Sequence, residues 1–180
     1  MEEPLILSTR ELQILSELDS SQFGLLKLTE STDHPRERCL ALKAIKYLER
    51  LLMLRRRTRV SPKEGEVEGE SSASASASPP KVYSKLGHLH LLLEDFPKAL
   101  SAYQKYISLE PRHWEDSRFL YGLGLVYFHY NAYPWARRAF SSLLYVNPGF
   151  KRSSDVHLRL ALIYKTHGNF SASLKHFRLA

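Results

Sequence analysis

Few side chains in this 180-residue sequence could do chemistry. His113-Trp-Glu115 has the form of the short half of a two-histidine, one-carboxylate iron site, which also needs a distant histidine held rigidly on the same face of the metal. The triplet falls between two helical patterns and nothing near it reads as strand, so a solvated loop is expected. Eight histidines and the single Cys39 provide no zinc quartet, because His88 and His90, two apart, point to opposite sides of a helix. Cys39 lies on an apolar stripe and reads as core rather than nucleophile. Gly122-x-Gly124 lacks the third glycine of a dinucleotide fingerprint and sits within a helical pattern. Asn169-Phe-Ser171 matches a glycosylation sequon but reads as a helix-starting turn. No catalytic, metal-binding or cofactor-binding residue is assigned, which leaves binding surfaces.

Charge locates those surfaces. Lys and Arg number 26 against 19 Asp and Glu, a formal net charge of +7. Residues 1–80 are near neutral, with 12 basic and 13 acidic residues; residues 81–180 carry 14 and 6, together with 18 of the 20 aromatics. Glutamates 64, 66, 68 and 70 and a Ser-Ala run ending at Pro79-Pro80 have too little apolar bulk to offset their chain entropy. Residues 55–80 are therefore expected to be a disordered linker. The absence of a charged, apolar leader and the lone cysteine suggest a soluble protein of a reducing compartment.

Upstream, Arg36 to Leu54 places Cys39, Leu42, Ile45, Leu48 and Leu52 at helical spacing, with Pro35 suited to the first turn. Thr9 to Leu18 sets Leu12, Leu15 and Leu18 on one side, capped by Ser8 or Thr9. Arg55-Arg-Arg-Thr-Arg59 reads either as an import or phosphate-binding patch or as a helix end. Leu48-Glu-Arg-Leu-Leu52 and Leu89-His-Leu-Leu-Leu93 both fit the LxxLL form of docking helices, but any leucine-rich amphipathic helix does, and core packing is the favoured reading.

Downstream, the sequence repeats. Leu86-Gly87, Leu123-Gly124 and Leu160-Ala161 are 37 residues apart, as are Phe96, Tyr133 and Phe170; Tyr103, Phe140 and Phe177; and Pro111 and Pro148. Each period reads as a helical hairpin. Gly87, Gly124, Ala99, Ala136 and Ala161 are small where helices must approach, and Tyr127, Tyr164 and the aromatics at 103, 140 and 177 fill the space beside them.

The order Leu-Gly, Tyr, Ala, Phe, Pro resembles the tetratricopeptide repeat, whose period is about 34 residues. The three extra residues fit best at Arg112-His-Trp-Glu-Asp116. His90 stands where Tyr is usual and Ser173 where Ala is usual. The expectation is an all-α array beginning a right-handed superhelix: an N-terminal helical segment over 1–54, the linker, hairpins over 81–116 and 117–153, and an incomplete third over 154–180. The third would stop short of its closing proline, as in a truncated product.

The run Leu86-Gly-His-Leu-His-Leu-Leu-Leu-Glu-Asp-Phe-Pro-Lys-Ala-Leu-Ser-Ala-Tyr-Gln104, with Phe119 to Ala132, Val156 to Leu160 and Ser173 to Phe177, resembles the N-terminal repeats of the UTX-type histone demethylases. That resemblance implies a nuclear protein whose repeats bind partners in a histone-methyltransferase coactivator complex. Fe(II) and 2-oxoglutarate would serve a separate jumonji domain that demethylates histone H3 at lysine 27. Any such catalysis would lie outside this chain.

The first helix of each hairpin lines the inner surface of such an array. The expected partner-binding residues are Tyr121, Leu125, Phe128 and His129 on the second hairpin, and Leu158, Leu162 and Lys165 on the third. Packing against the next repeat is the competing expectation for them. The basic balance favours an acidic or helical protein segment over nucleic acid, since the aromatics follow core spacing. An unrelated adaptor or co-chaperone and a basic nucleic-acid binder are the alternatives. No membrane contact is expected.

Overall fold

In a computed structural model of the chain, the described residues are 7–26, 28, 35–60 and 79–180. The fold is all-helical, with tetratricopeptide-like helical hairpins. The helices are α1 (Thr9–Glu17), α2 (Pro35–Val60), α3 (Pro79–Leu92), α4 (Phe96–Leu109), α5 (Ser117–His129), α6 (Tyr133–Val146), α7 (Ser153–Thr166) and α8 (Phe170–Leu179). Helices α3/α4, α5/α6 and α7/α8 pair as hairpins; α5 also packs on α3 and α4, and α6 on α7. No helix among the described residues is long and apolar enough to cross a membrane.

The hairpin turns keep the 37-residue step. Glu94, Asn131 and Gly168 take left-handed backbone angles, φ 58°, 56° and 72°. A left-handed residue reverses the chain direction, and glycine does this without Cβ strain. Each is followed by the N-cap of the next helix. Asp95 accepts from the Lys98 amide and Asn169 from the Ala172 amide, while Ala132 makes no side-chain cap. The connection between α4 and α5 includes a 3-10 turn, His113–Glu115, before Asp116 caps α5.

Aromatic rings seated on glycines join the helices. The Tyr103 ring of α4 occupies the space a side chain at Gly87 of α3 would need, and its hydroxyl does the same at Gly122 of α5. Phe140 of α6 stands likewise against Gly124. Tyr103 is fully buried; its hydroxyl shares a 2.9 Å hydrogen bond with His88 Nδ1 and its ring meets Phe119 edge-on. Ser173 reconciles its polarity with burial by donating its hydroxyl to the Ala161 carbonyl oxygen, 2.8 Å away.

The structure corrects several expectations at the N-terminal end. The buried side of α2 is formed by Leu40, Ala41, Ala44, Ile45 and Leu48; Cys39 and Leu42 are exposed. The alanines allow close approach to a neighbouring helix, and this rotates the expected stripe away from the core. On α1, Leu15 is buried but Leu12 is exposed. Helix α2 runs to Val60 and α3 already starts at Pro79, so the expected linker overlaps both ends. Arginine is a good helix former, and proline suits a first helical turn. The remainder of that linker, 61–78, lies outside the described residues.

A Gly124→Ala substitution should cost about 1–3 kcal/mol in chemical denaturation, because the Phe140 ring is packed too tightly to yield. Gly149→Ala, whose Cβ would come no nearer than 4.0 Å to Asn147, should change stability by less than about 0.5 kcal/mol. Adding the missing cap with Ala132→Asp should raise stability by about 1 kcal/mol. Burial pushes the His88 imidazole down to about 4, so it is neutral when folded, whereas in the unfolded chain it takes up a proton below about 6.5. This contribution is complete above pH 6.5 and is lost as pH falls from there toward 4. Denaturation at pH 7.5 and pH 5 should show a loss of about 1 kcal/mol or more on acidification that is reduced in His88→Gln.

Candidate partner-binding surface

Helices α3, α5 and α7 open the three hairpins, and the expected binding residues fall on them in two ways. Tyr121 and Leu125, expected on an open face, are 0% and 2% exposed. The Tyr121 hydroxyl donates to Asp155 of α7 at 2.6 Å and accepts from Arg152 Nε at 3.4 Å; its ring packs beside Phe150. Burial and the Asp155 carboxylate push the phenol up to about 12, so it remains a donor. Tyr121 is therefore joined to the third hairpin. Phe128 is half-buried under the Arg159 guanidinium, 5.2 Å from its ring centroid. His129 is exposed but stacks on Phe96 of the preceding hairpin, with centroids 3.6 Å apart.

The third hairpin is different. Leu158 and Leu162 stand one period beyond Tyr121 and Leu125, yet are 42% and 38% exposed, and Lys165 beside them is also exposed. Phe177 is 40% exposed where Tyr103 and Phe140 are fully buried. Residues of one type and register are thus covered or open according to whether another hairpin lies against them. The other repeat positions divide similarly. Leu86, Gly87, Ala99, Leu123, Gly124, Ala136, Leu160 and Ala161 are buried; Tyr127 and Tyr164 are half-buried, the latter stacked on His176; Pro111 and Pro148 are exposed in the connections.

A groove of about 680 Å³ opens near the starts of α3 and α5, lined among others by Lys81, Ser84, Lys85, His88, Arg118 and Lys151. Sequence reasoning missed that residues upstream of α2 form one wall. Asp19 and Ser21 belong to this groove, and the 3-10 turn Ser20–Gln22 packs on both α3 and α5. Lys85 Nζ donates to the Leu18 carbonyl oxygen at 2.6 Å, and its desolvation lowers the ammonium to about 8. Arg118 Nε lies 3.3 Å from the Asp19 carboxylate. No periodic signal could reveal this wall, because the segment lies outside the repeats.

The chemistry-bearing motifs are scattered. His113 Nδ1 lies 2.9 Å from the Glu110 carbonyl oxygen within the 3-10 turn. His88 meets Tyr103, while His90 Nδ1 lies 3.9 Å from Asp95. Among the described residues, no three His, Cys, Asp or Glu side chains gather as a metal site. Gly122 sits inside α5 as a packing residue, and Asn169 caps α8. Within the two LxxLL segments, Leu48, Leu89 and Leu92 are core residues. Helix α2 includes Arg55 to Arg59, but the side chains beyond Arg55 lie outside the described ones.

Residues 80–113 match the tetratricopeptide repeat family. The general transcriptional corepressor trfA of Dictyostelium discoideum is 33% identical over 76 residues, 42% of this chain and 5% of that protein. The general transcriptional corepressor ssn6 of Schizosaccharomyces pombe is 31% identical over 79 residues, 43% of this chain and 7% of that protein. The chain thus spans less than a tenth of the length of either relative. In fold it is similar to the crystal structure of MamA, with a TM-score of 0.55 over 93% of this chain and 81% of that one at 21% identity. With its stacked hairpins, its 37-residue register and the matched stretch at 80–113, this chain carries tetratricopeptide-like repeats.

Proposed function

We propose that this chain is a non-catalytic interaction scaffold of a nuclear, transcription-regulating complex, and specifically the partner-binding repeat region of a UTX-type histone H3 lysine-27 demethylase. The observation that carries the binding reading is the open apolar pair Leu158 and Leu162 on α7, beside Lys165, at register positions that the second hairpin buries against its neighbour. Apolar side chains next to a cation suit a partner helix or extended segment with an apolar face and an acidic rim. Local matches from Leu86 to Gln104 and Phe119 to Ala132 support the demethylase assignment. In that assignment Fe(II) and 2-oxoglutarate belong to a separate domain.

The likeness to two general transcriptional corepressors favours a second reading, in which the repeats serve a corepressor instead. A co-chaperone clamp for a terminal carboxylate fits less well. That chemistry needs Lys and Asn on the inner helices, where this chain places Ser84, His88 and Leu125. Nucleic-acid binding is disfavoured because Tyr103, Tyr106, Phe119, Tyr121, Phe140 and Phe150 are committed to packing between helices.

Affinity capture from nuclear extract with the full chain should retrieve chromatin-modifying proteins, and Leu158→Asp with Leu162→Asp should reduce recovery at least tenfold while the far-ultraviolet spectrum is unchanged. Histone methyltransferase subunits in the capture would favour the demethylase reading; corepressor subunits without them would favour the second. Unchanged recovery by the double variant would refute this surface.

A further inference from the structure

Residues upstream of α2 lie on the array much as a bound peptide would. Leu18 to Leu26 contain one 3-10 turn and an isolated bridge between Phe23 and Leu26, with the Asp19 carboxylate accepting from the Ser21 amide and hydroxyl and the Leu25 and Leu26 amides donating to the Gln22 carbonyl oxygen. Further contacts tie this short folded segment to the repeats. The Asp19 carboxylate pairs with Arg118, the Ser20 hydroxyl donates to the Arg118 carbonyl oxygen, and Lys85 grasps the Leu18 carbonyl. Phe23 meets Phe96 edge-on, with centroids 6.1 Å apart, and Phe96 in turn stacks on His129. Gly122 makes the approach possible: the Ser20 Cβ lies 3.1 Å from where a side chain at 122 would begin.

These contacts follow the logic of peptide recognition, in which cations hold main-chain carbonyls and a carboxylate, a hydroxyl fixes register, and an aromatic ring anchors one end. Asp19 and Ser20 are buried beside Leu18, a core residue, and Phe23 and Leu26 pack against the same cluster. The fit is incomplete, since Gln22 Oε1 is buried without a hydrogen-bond partner and so carries a desolvation cost. The neighbouring groove, with Lys81 and Lys151 as well as Glu115 and Asp116 along it, continues beyond the segment.

We propose that Asp19–Phe23 is a built-in ligand of the inner face, and that a partner segment with the same order of groups (carboxylate, hydroxyl, two spacers, aromatic ring) binds there by displacing it. This rests on the reading of the chain as a protein-binding scaffold and specifies the chemistry of the partner. It differs from a structural cap in one respect: the segment must leave while the hairpins stay folded.

The probe is a fluorescent peptide of residues 16–26, tested by anisotropy against the full chain and against a full-chain variant carrying Asp19→Lys, Ser20→Val and Phe23→Ala. The variant, whose own segment competes poorly, should bind the peptide at least tenfold more tightly than the unaltered chain, and a peptide with the same three changes should not bind. A cooperatively folded variant that binds no better than the unaltered chain overturns the proposal. If the variant does not fold, hydrogen exchange of the unaltered chain decides. The amides of Gln22, Phe23, Leu25 and Leu26 should exchange at least tenfold faster than those of α3 and α5, and exchange of all of them only on global unfolding overturns the proposal. Because the probe is the chain's own segment, this outcome is independent of which proteins the α7 surface captures.

Discussion

The arrangement depends on close approach of helices at glycine, with an aromatic ring taking the vacated space. Tyr103 shows the constraint most fully. Its ring lies against Gly87 within its own hairpin, its hydroxyl reaches the helix of the next hairpin at Gly122, and the same hydroxyl meets His88. One side chain thus sets both the spacing inside a hairpin and the spacing between hairpins. Phe140 repeats the first part of this on Gly124 but, lacking a hydroxyl, not the second. There the link to the following hairpin passes through Tyr121, which reaches Asp155 and Arg152 at the start of α7.

Each interface is built from the same register, so the positions that join the second hairpin to the third recur on the third. Leu158, Leu162 and Phe177 are chemically fit for burial and are open in this chain. The inner face near α3 and α5 is different: there the chain supplies its own occupant, through Leu18, Asp19, Ser20 and Phe23.

Polar groups mark the junctions. His88, Ser84, Ser20, Asp19 and Ser173 are all buried, each with a partner across a helix or segment boundary or one turn away. Buried polar groups are costly unless paired, so they favour one arrangement of the helices over near alternatives with similar apolar contact. Ser173 is an example: it replaces a small apolar residue and gains a hydrogen bond to the Ala161 carbonyl that ties α8 to α7.

By itself the sequence determined that this protein is helical and repetitive. The 37-residue recurrence of Leu-Gly, aromatic and proline positions is local information, since the residues that pack within one hairpin are near one another in the chain. The Ser8 cap of α1, Pro35 at the start of α2 and the Asn169 turn were legible for the same reason. Tertiary structure decided which of two equivalent helix faces is covered. Helical spacing cannot tell Tyr121, joined to the next hairpin, from Leu158, open at the same register position. Nor can it show that Cys39 and Leu42 turn outward once Ala41 and Ala44 are buried. The placement of Asp19 and Ser20 on α5 was beyond the sequence altogether. It joins residues nearly a hundred positions apart through a carbonyl, a guanidinium and a missing Cβ at Gly122, none of which leaves a periodic trace.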